Sequence, residues 1–398
     1  MKLGFLGAAA AALLLTACAQ APQAPQAPAR IQGTGDLGLV VERASGSLQL
    51  LNTSTRSALG RVQGLGDLSH ASLVYSRDGA YAYVFGRDGA LSKLHLPSLS
   101  VVARVQQSGN SIGGAISQDG RWVVAQNYQP GGIKVFDAQD LSLVADIPAE
   151  YAPGKLSRVV GLADLPGQRF IFSLFDADEI WLADLAEPKA PRISKFRNVG
   201  HQPYDALVTP DGRHYIAGLF GEDGLAKIDL WAAEPKVERI LPGYGRGQQP
   251  LPVFKMPHLR GWAVAGRLAY LPAIGRHEVL VVDTQSWAEV ARIPVAGQPV
   301  FVMAQPDGRQ VWVNFAVPDY DQVQVIDTQS QRIVHAFKPG KAVLHMEFTP
   351  RGEAVWISAR DSDLVSVVDT RSFATLATLP AQAPSGIFFT SRAHRIGL

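Results

Sequence analysis

One repeating pattern limits the architecture of this chain more than any other feature. The stretch YSRDGAYAYVFGRDGALSKLHLPSLSVVARV, from Tyr75, resembles ISQDGRWVVAQNYQPGGIKVFDAQDLSLVADI, from Ile116. The pattern returns at Val208, Ala304 and Phe348, with weaker copies at Leu162 and near Pro257. Each unit reads as a Pro/Asp/Gly turn, an alternating strand, a variable loop, an apolar strand ending in Asp, a polar turn and another short strand. Turn signals at about 8–12-residue spacing argue β structure throughout, and no segment shows sustained helical periodicity. Repeats of about 40–50 residues with four short strands each are propeller blades. Counting a partial copy at Leu37, there are eight. The predicted fold is an all-β, eight-bladed β-propeller over residues 31–398.

The partial first copy lacks the strand and Asp-Gly turn that open the other units. The C-terminal APSGIFFTSR, from Ala383, has the pattern of such an opening strand. It is therefore expected to complete the first blade and close the ring. The Asp-Gly turns recur at one phase of the repeat, as a turn requirement demands, and are read as structural.

The first 30 residues fall outside the repeat. Lys2 followed by the apolar run Leu3–Leu15 reads as a targeting segment, too short to span a bilayer comfortably. It ends in Leu15-Thr16-Ala17-Cys18, a lipobox pattern, and Cys18 is the sole cysteine, so it has no internal disulfide partner. The expectation is a signal peptide over 1–17, lipidation of Cys18, and a Pro-rich extended tether over 18–30. This places the body in the periplasm, anchored to a membrane through its lipid. The formal charge is only +2 and the basic residues are scattered, which excludes a nucleic-acid footprint.

Within the repeat, His70 precedes the strand Ala71–Tyr75, where a blade meets the inner wall. Arg43, Arg87 and Arg158 occupy comparable inner-strand phases of the first, second and fourth blades, and Tyr128 sits similarly in the third. His95, His214, His335 and His394 fall on blade surfaces or the tail and are expected to be solvated. Separate blades would thus bring one imidazole, several guanidiniums and a phenol to one pocket. Arginine suits bidentate carboxylate capture, and a histidine among such arginines matches the needs of a many-carboxylate iron tetrapyrrole.

The segments VERASG around Arg43, SHASLVYSRDGAYAYVFGRDG with His70 and Arg87, NYQPGG with Tyr128 and SRVVGL with Arg158 carry a resemblance. Over the whole chain after the tether, the sequence resembles the d1-heme-binding propeller of the cytochrome cd1 nitrite reductases. A free-standing, lipobox-bearing propeller is similar, within that group, to the members that serve heme d1 biosynthesis. The resemblance implies that His70 is the proximal iron ligand and that Arg43, Arg87, Tyr128 and Arg158 line the tetrapyrrole pocket. It also implies a heme d1 precursor as ligand or substrate, with nitrite reductase and other maturation proteins as partners.

Two departures argue against nitrite reduction. The segment matching the reductase's first distal histidine reads HQPYDAL, with Tyr204 and Asp205 in its place, and AYLPAIGRHE offers no histidine in phase for the second. No Cys-x-x-Cys-His is present for a c-type heme. The leading expectation is an oxidoreductase acting on a ring side chain of the precursor, with Asp205, Tyr204 and His201 as the catalytic candidates. The alternative is a non-catalytic carrier that delivers the precursor to nitrite reductase. A lactonase-like hydrolase would want an axial Glu/Asp/Asn metal set, which the sequence does not offer.

Overall fold

The computed structural model describes residues 31, 33–245, 262–273 and 276–395. Cys18, the signal peptide at 1–17 and the tether at 18–30 lie outside the described residues, as does the start of the weak repeat copy near Pro257, whose strands from Ala263 onward are described. Among the described residues, eight four-stranded antiparallel sheets follow one another along the chain. The inner strands of neighbouring sheets touch one another from blade 2 to blade 5 and from blade 6 through blade 8 to blade 1.

Eight hydrophobic clusters hold the ring, each shared by two consecutive blades. This explains a departure from the sequence pattern. The second strand of blade 2, Tyr81–Phe85, and the third, Ala90–His95, are buried on both faces rather than alternating. Odd and even side chains enter different inter-blade cores: Ala82 and Val84 face blade 1, while Tyr83 and Phe85 face blade 3. Only outer strands such as Ser100–Gln106 keep one exposed face.

The closure is as the repeat predicts. Pro384–Phe389 is the inner strand of blade 1, paired antiparallel with Leu37–Glu42 through Gly38↔Phe389, Leu39↔Phe388 and Val40↔Ile387. Ile387 and Phe389 are fully buried between blades 1 and 8. The chain then turns beneath the ring over Thr390–His394. Arg392 of this turn pairs with buried Glu347 of blade 8, and the Arg77 guanidinium of blade 2 donates to the Ala393 carbonyl. One short segment thereby ties three blades together.

The repeat-phase aspartates do structural work. In the turn after Ser72–Tyr75, Asp78 accepts the Ala80 N–H at 3.0 Å, and Gly79 takes φ +67°, a conformation that favours glycine. Asp137, Asp184, Asp229, Asp283 and Asp369, each ending a third strand, likewise accept the N–H two residues on. These are the side-chain turns that make Asp and Gly recur at fixed phase.

Candidate functional site

Alternation of strand direction fixes which residues share a face. Inner strands begin at what we call the top face; second strands end there and third strands begin there. His70 lies two residues before the inner strand Ser72–Tyr75, and Arg158 immediately before Val159–Leu165. Tyr204 and Asp205 lie near the start of the inner strand Pro203–Val208. Arg43 follows the second strand Leu37–Glu42, Arg87 follows Tyr81–Phe85, and Tyr128 is near the end of Trp122–Gln129. These pocket candidates therefore all sit at the top.

The phase assigned to them needs correction. Arg43, Arg87 and Tyr128 are not on inner strands but at the tops of second strands, and only Arg158 adjoins an inner one. For Arg43 the reason is the closure, in which the C-terminal strand takes the inner position in blade 1 and moves Leu37–Glu42 outward by one. Arg87 and Tyr128 simply follow or end the second strands of blades 2 and 3, which run in plain chain order. The same top-of-second-strand phase identifies residues not anticipated from the sequence, namely Phe175 in blade 4, Phe220 in blade 5 and Arg360 in blade 8.

Six of these side chains, Arg87, Tyr128, Tyr204, Phe175, Phe220 and Arg158, form a continuous basic and aromatic surface. The Arg87 guanidinium lies 5.7 Å from the Tyr128 ring centre, and the Tyr128 hydroxyl is 3.4 Å from that of Tyr204. Tyr204, Phe175 and Phe220 pack mutually, with ring centres 5.6–5.8 Å apart. Arg158 lies over the Phe175 ring at 4.2 Å. Burial pushes both phenols up, and the Asp205 charge adds to the effect at Tyr204. Both are therefore neutral hydroxyls near pH 7.

The three arginines differ in their pairing. Arg158 is engaged with Asp176, through Nη2 to Oδ1 at 2.5 Å and Nε to Oδ2 at 3.0 Å, and that bond holds its pKa up. Arg43 and Arg87 have no carboxylate within ion-pair distance among the described residues. Burial lowers the pKa of Arg43, and the nearby charge of Arg360 lowers it further. The two arginines share only the field of Asp67, whose carboxyl is held low by Ser69 first and then by their charges. A partly desolvated guanidinium without an acid partner, as Arg43 is, is costly, and an anion placed near it repays that cost.

The histidines separate into distinct settings. His70 is exposed on the top face. His201 is tied to neighbouring acids: its Nδ1 is 3.2 Å from Asp178, and its backbone N–H donates to Glu222. His201 is thus held by those acids. His345 lines the inner wall in Val343–Phe348, near Phe301 and Phe388. Its Nδ1 accepts the Ile387 N–H at 3.2 Å, and burial pushes its pKa down to about 4. At neutral pH its proton therefore sits on Nε2, which makes it a hydrogen-bond donor rather than a metal ligand. Contrary to expectation, His214 packs edge-on against Trp287, and His335 stacks on Phe373 at 4.1 Å. Of the four expected to be solvated only His394 is exposed, because outer blade surfaces also carry aromatic rings.

A ring of eight blades closed by its own C-terminus, with guanidiniums and aromatic rings gathered on one face, defines a ligand-binding propeller. Residues 32–393 match the family described as the cytochrome D1 heme domain, and the chain belongs to that family. It is similar to Protein NirF of Stutzerimonas stutzeri, at 60% identity over 98% of both chains. It is also similar to Protein NirF of Pseudomonas aeruginosa, at 57% identity over 97% of both. The structure resembles that of dihydro-heme d1 dehydrogenase NirN in complex with DHE, with a TM-score of 0.79 and 30% identity over 93% of this chain and 78% of that one.

Proposed function

We propose that this protein binds a late d1-type iron tetrapyrrole on its top face and acts in the maturation of heme d1. The observation that carries the reading is the pair Arg43 and Arg87, guanidiniums with no ion-pair partner among the described residues, the second of them facing the Tyr128 end of the Tyr128–Tyr204–Phe175–Phe220 surface. A flat macrocycle with carboxylates on its rim fits both halves: aromatic faces for the ring, guanidiniums for the acids. His70, on the same face, supplies a neutral nitrogen to the iron. Arg158 serves differently from the other two, because its fork is filled by Asp176. It stiffens the aromatic wall and meets a ligand carboxylate only by sharing that fork.

The proposed chemistry is removal of two hydrogens from a ring side chain, converting a propionate to an acrylate. This releases two protons and two electrons. Asp205, beside the neutral Tyr204 hydroxyl, takes the first proton, and the second passes to solvent. The electrons leave through the tetrapyrrole to a redox-protein acceptor. Delivery to nitrite reductase without chemistry is the competing reading, and it makes no demand on Asp205. The protein works in the periplasm, held to a membrane by lipidated Cys18 and the tether at 18–30, with other maturation proteins as neighbours.

Titration with purified heme d1, followed by absorbance, tests the binding reading. Arg43→Ala and Arg87→Ala should each cost about 1.5–3 kcal/mol, or roughly ten- to a hundred-fold in Kd, if their bonds to carboxylates are buried. Unchanged affinity in both variants would remove the anion site.

A further inference from the structure

The connection between blades 3 and 4 carries the only two-stranded sheet among the described residues, Glu150–Ala152 paired with Lys155–Leu156. It leaves the outer strand Leu143–Ile147 and returns to the inner strand Val159–Leu165, and both of these ends lie at the top face. We propose that this hairpin is a wall of the tetrapyrrole pocket, covering the apolar edge of the macrocycle between Tyr128 and Arg158. The proposal rests on the binding reading above.

The root of the hairpin is fixed to both neighbours. Ser157 and Ala149 are buried and joined by a 3.0 Å backbone hydrogen bond. On one side, a Cβ on Gly131, three residues past Tyr128, would collide with the Ser157 backbone, so the two segments touch. On the other, the Ser157 hydroxyl accepts the Asp176 N–H at 2.9 Å, and Asp176 holds Arg158. The tip is ordered by the Glu150 carboxylate, which accepts the Gly154 N–H at 2.8 Å.

This rigid base presents apolar side chains to water. Tyr151 is 37% exposed and Leu156 41%, with Pro153 exposed between them. The three-residue strand Glu150–Ala152 reaches about 10 Å from its root, which is enough to overhang a ring seated against Tyr128. A pre-ordered apolar wall loses little entropy when its ligand arrives, so its contacts convert efficiently into affinity. Charged residues alone would hold the acids but leave this edge of the macrocycle wet.

The test combines heme d1 titration with hydrogen exchange on the full chain. Tyr151→Ala should weaken binding about tenfold, as loss of a stacked aromatic does. Tyr151→Phe should stay within about twofold of wild type, and Trp231→Ala, an exposed bottom-face tryptophan, should change nothing. Amides of residues 150–156 should gain protection when heme d1 binds. Wild-type binding by Tyr151→Ala and Leu156→Ala, with no added protection, overturns the wall while the pocket stands. Protection appearing only when cytochrome cd1 nitrite reductase is added overturns it in favour of a protein-docking hairpin. Failure of folded wild type itself to bind heme d1 removes both the pocket and its wall.

Discussion

Truncating Phe389 to alanine should weaken the whole ring, because this ring is sealed by a single strand. Phe389 is 1% exposed, packs edge-on to Trp356 of blade 8 at 5.8 Å, and covers Gly38 so closely that no Cβ would fit there. The void left by Phe389→Ala is bounded by two blades and cannot collapse without moving one of them. Such truncations cost about 3–5 kcal/mol, against a total stability on the order of 5–15 kcal/mol. Unfolding entropy for the 346 described residues is roughly 0.7 kcal/mol/K, so Tm should fall by about 4–7 °C. Leu143→Ala, on an outer strand and 55% exposed, is the matched control, expected within about 0.5 kcal/mol of wild type. Thermal unfolding followed by circular dichroism compares the three proteins. If Phe389→Ala melts with the control, the C-terminal strand is not the closure, and the seam must lie elsewhere.

Three further outcomes follow from the sequence and structure. His345 binds a proton near pH 6.5 when unfolded but only near pH 4 in the folded chain, so stability is present above 6.5 and lost as pH falls towards 4, by up to about 3 kcal/mol; His345→Gln should flatten that part of the Tm-versus-pH curve, and an identical slope in the variant would refute it. Cys18→Ser should release the protein from the membrane fraction with an unchanged melting curve, whereas a soluble, unlipidated wild type would exclude the anchor. Asp205→Asn should bind heme d1 precursor as wild type does yet fail to restore nitrite respiration in a strain lacking this protein, since a catalytic group acts on the transition state more than the ground state; full restoration would favour the carrier reading.

The repeat made blade number and closure legible because turn chemistry is local: Asp78 and Gly79 are dictated by a hydrogen bond two residues long. Radial position was harder to read. Arg43 looks inner in sequence, since Leu37 is the first strand the chain supplies, and only the pairing of Val40 with Ile387 pushes it out. Pairing within the site was hidden for the same reason. Arg158 and Arg87 are alike as residues, but Asp176 reaches one of them and not the other across a turn whose geometry no spacing rule encodes. The tautomer of His345 depends on a backbone N–H 42 positions away. Phe175 and Phe220 could have been found: aligning the repeats on the tops of their second strands puts both in the phase of Arg43.

The most direct test of the central claim is the visible spectrum of the purified protein with added heme d1 precursor, followed over time under oxidising conditions in wild type and His70→Ala. The account predicts a ligand spectrum that shifts on binding wild type and shifts differently with His70→Ala. Binding should persist in that variant, because Arg43 and Arg87 remain. A ligand spectrum identical with wild type, with His70→Ala and in buffer alone would contradict it.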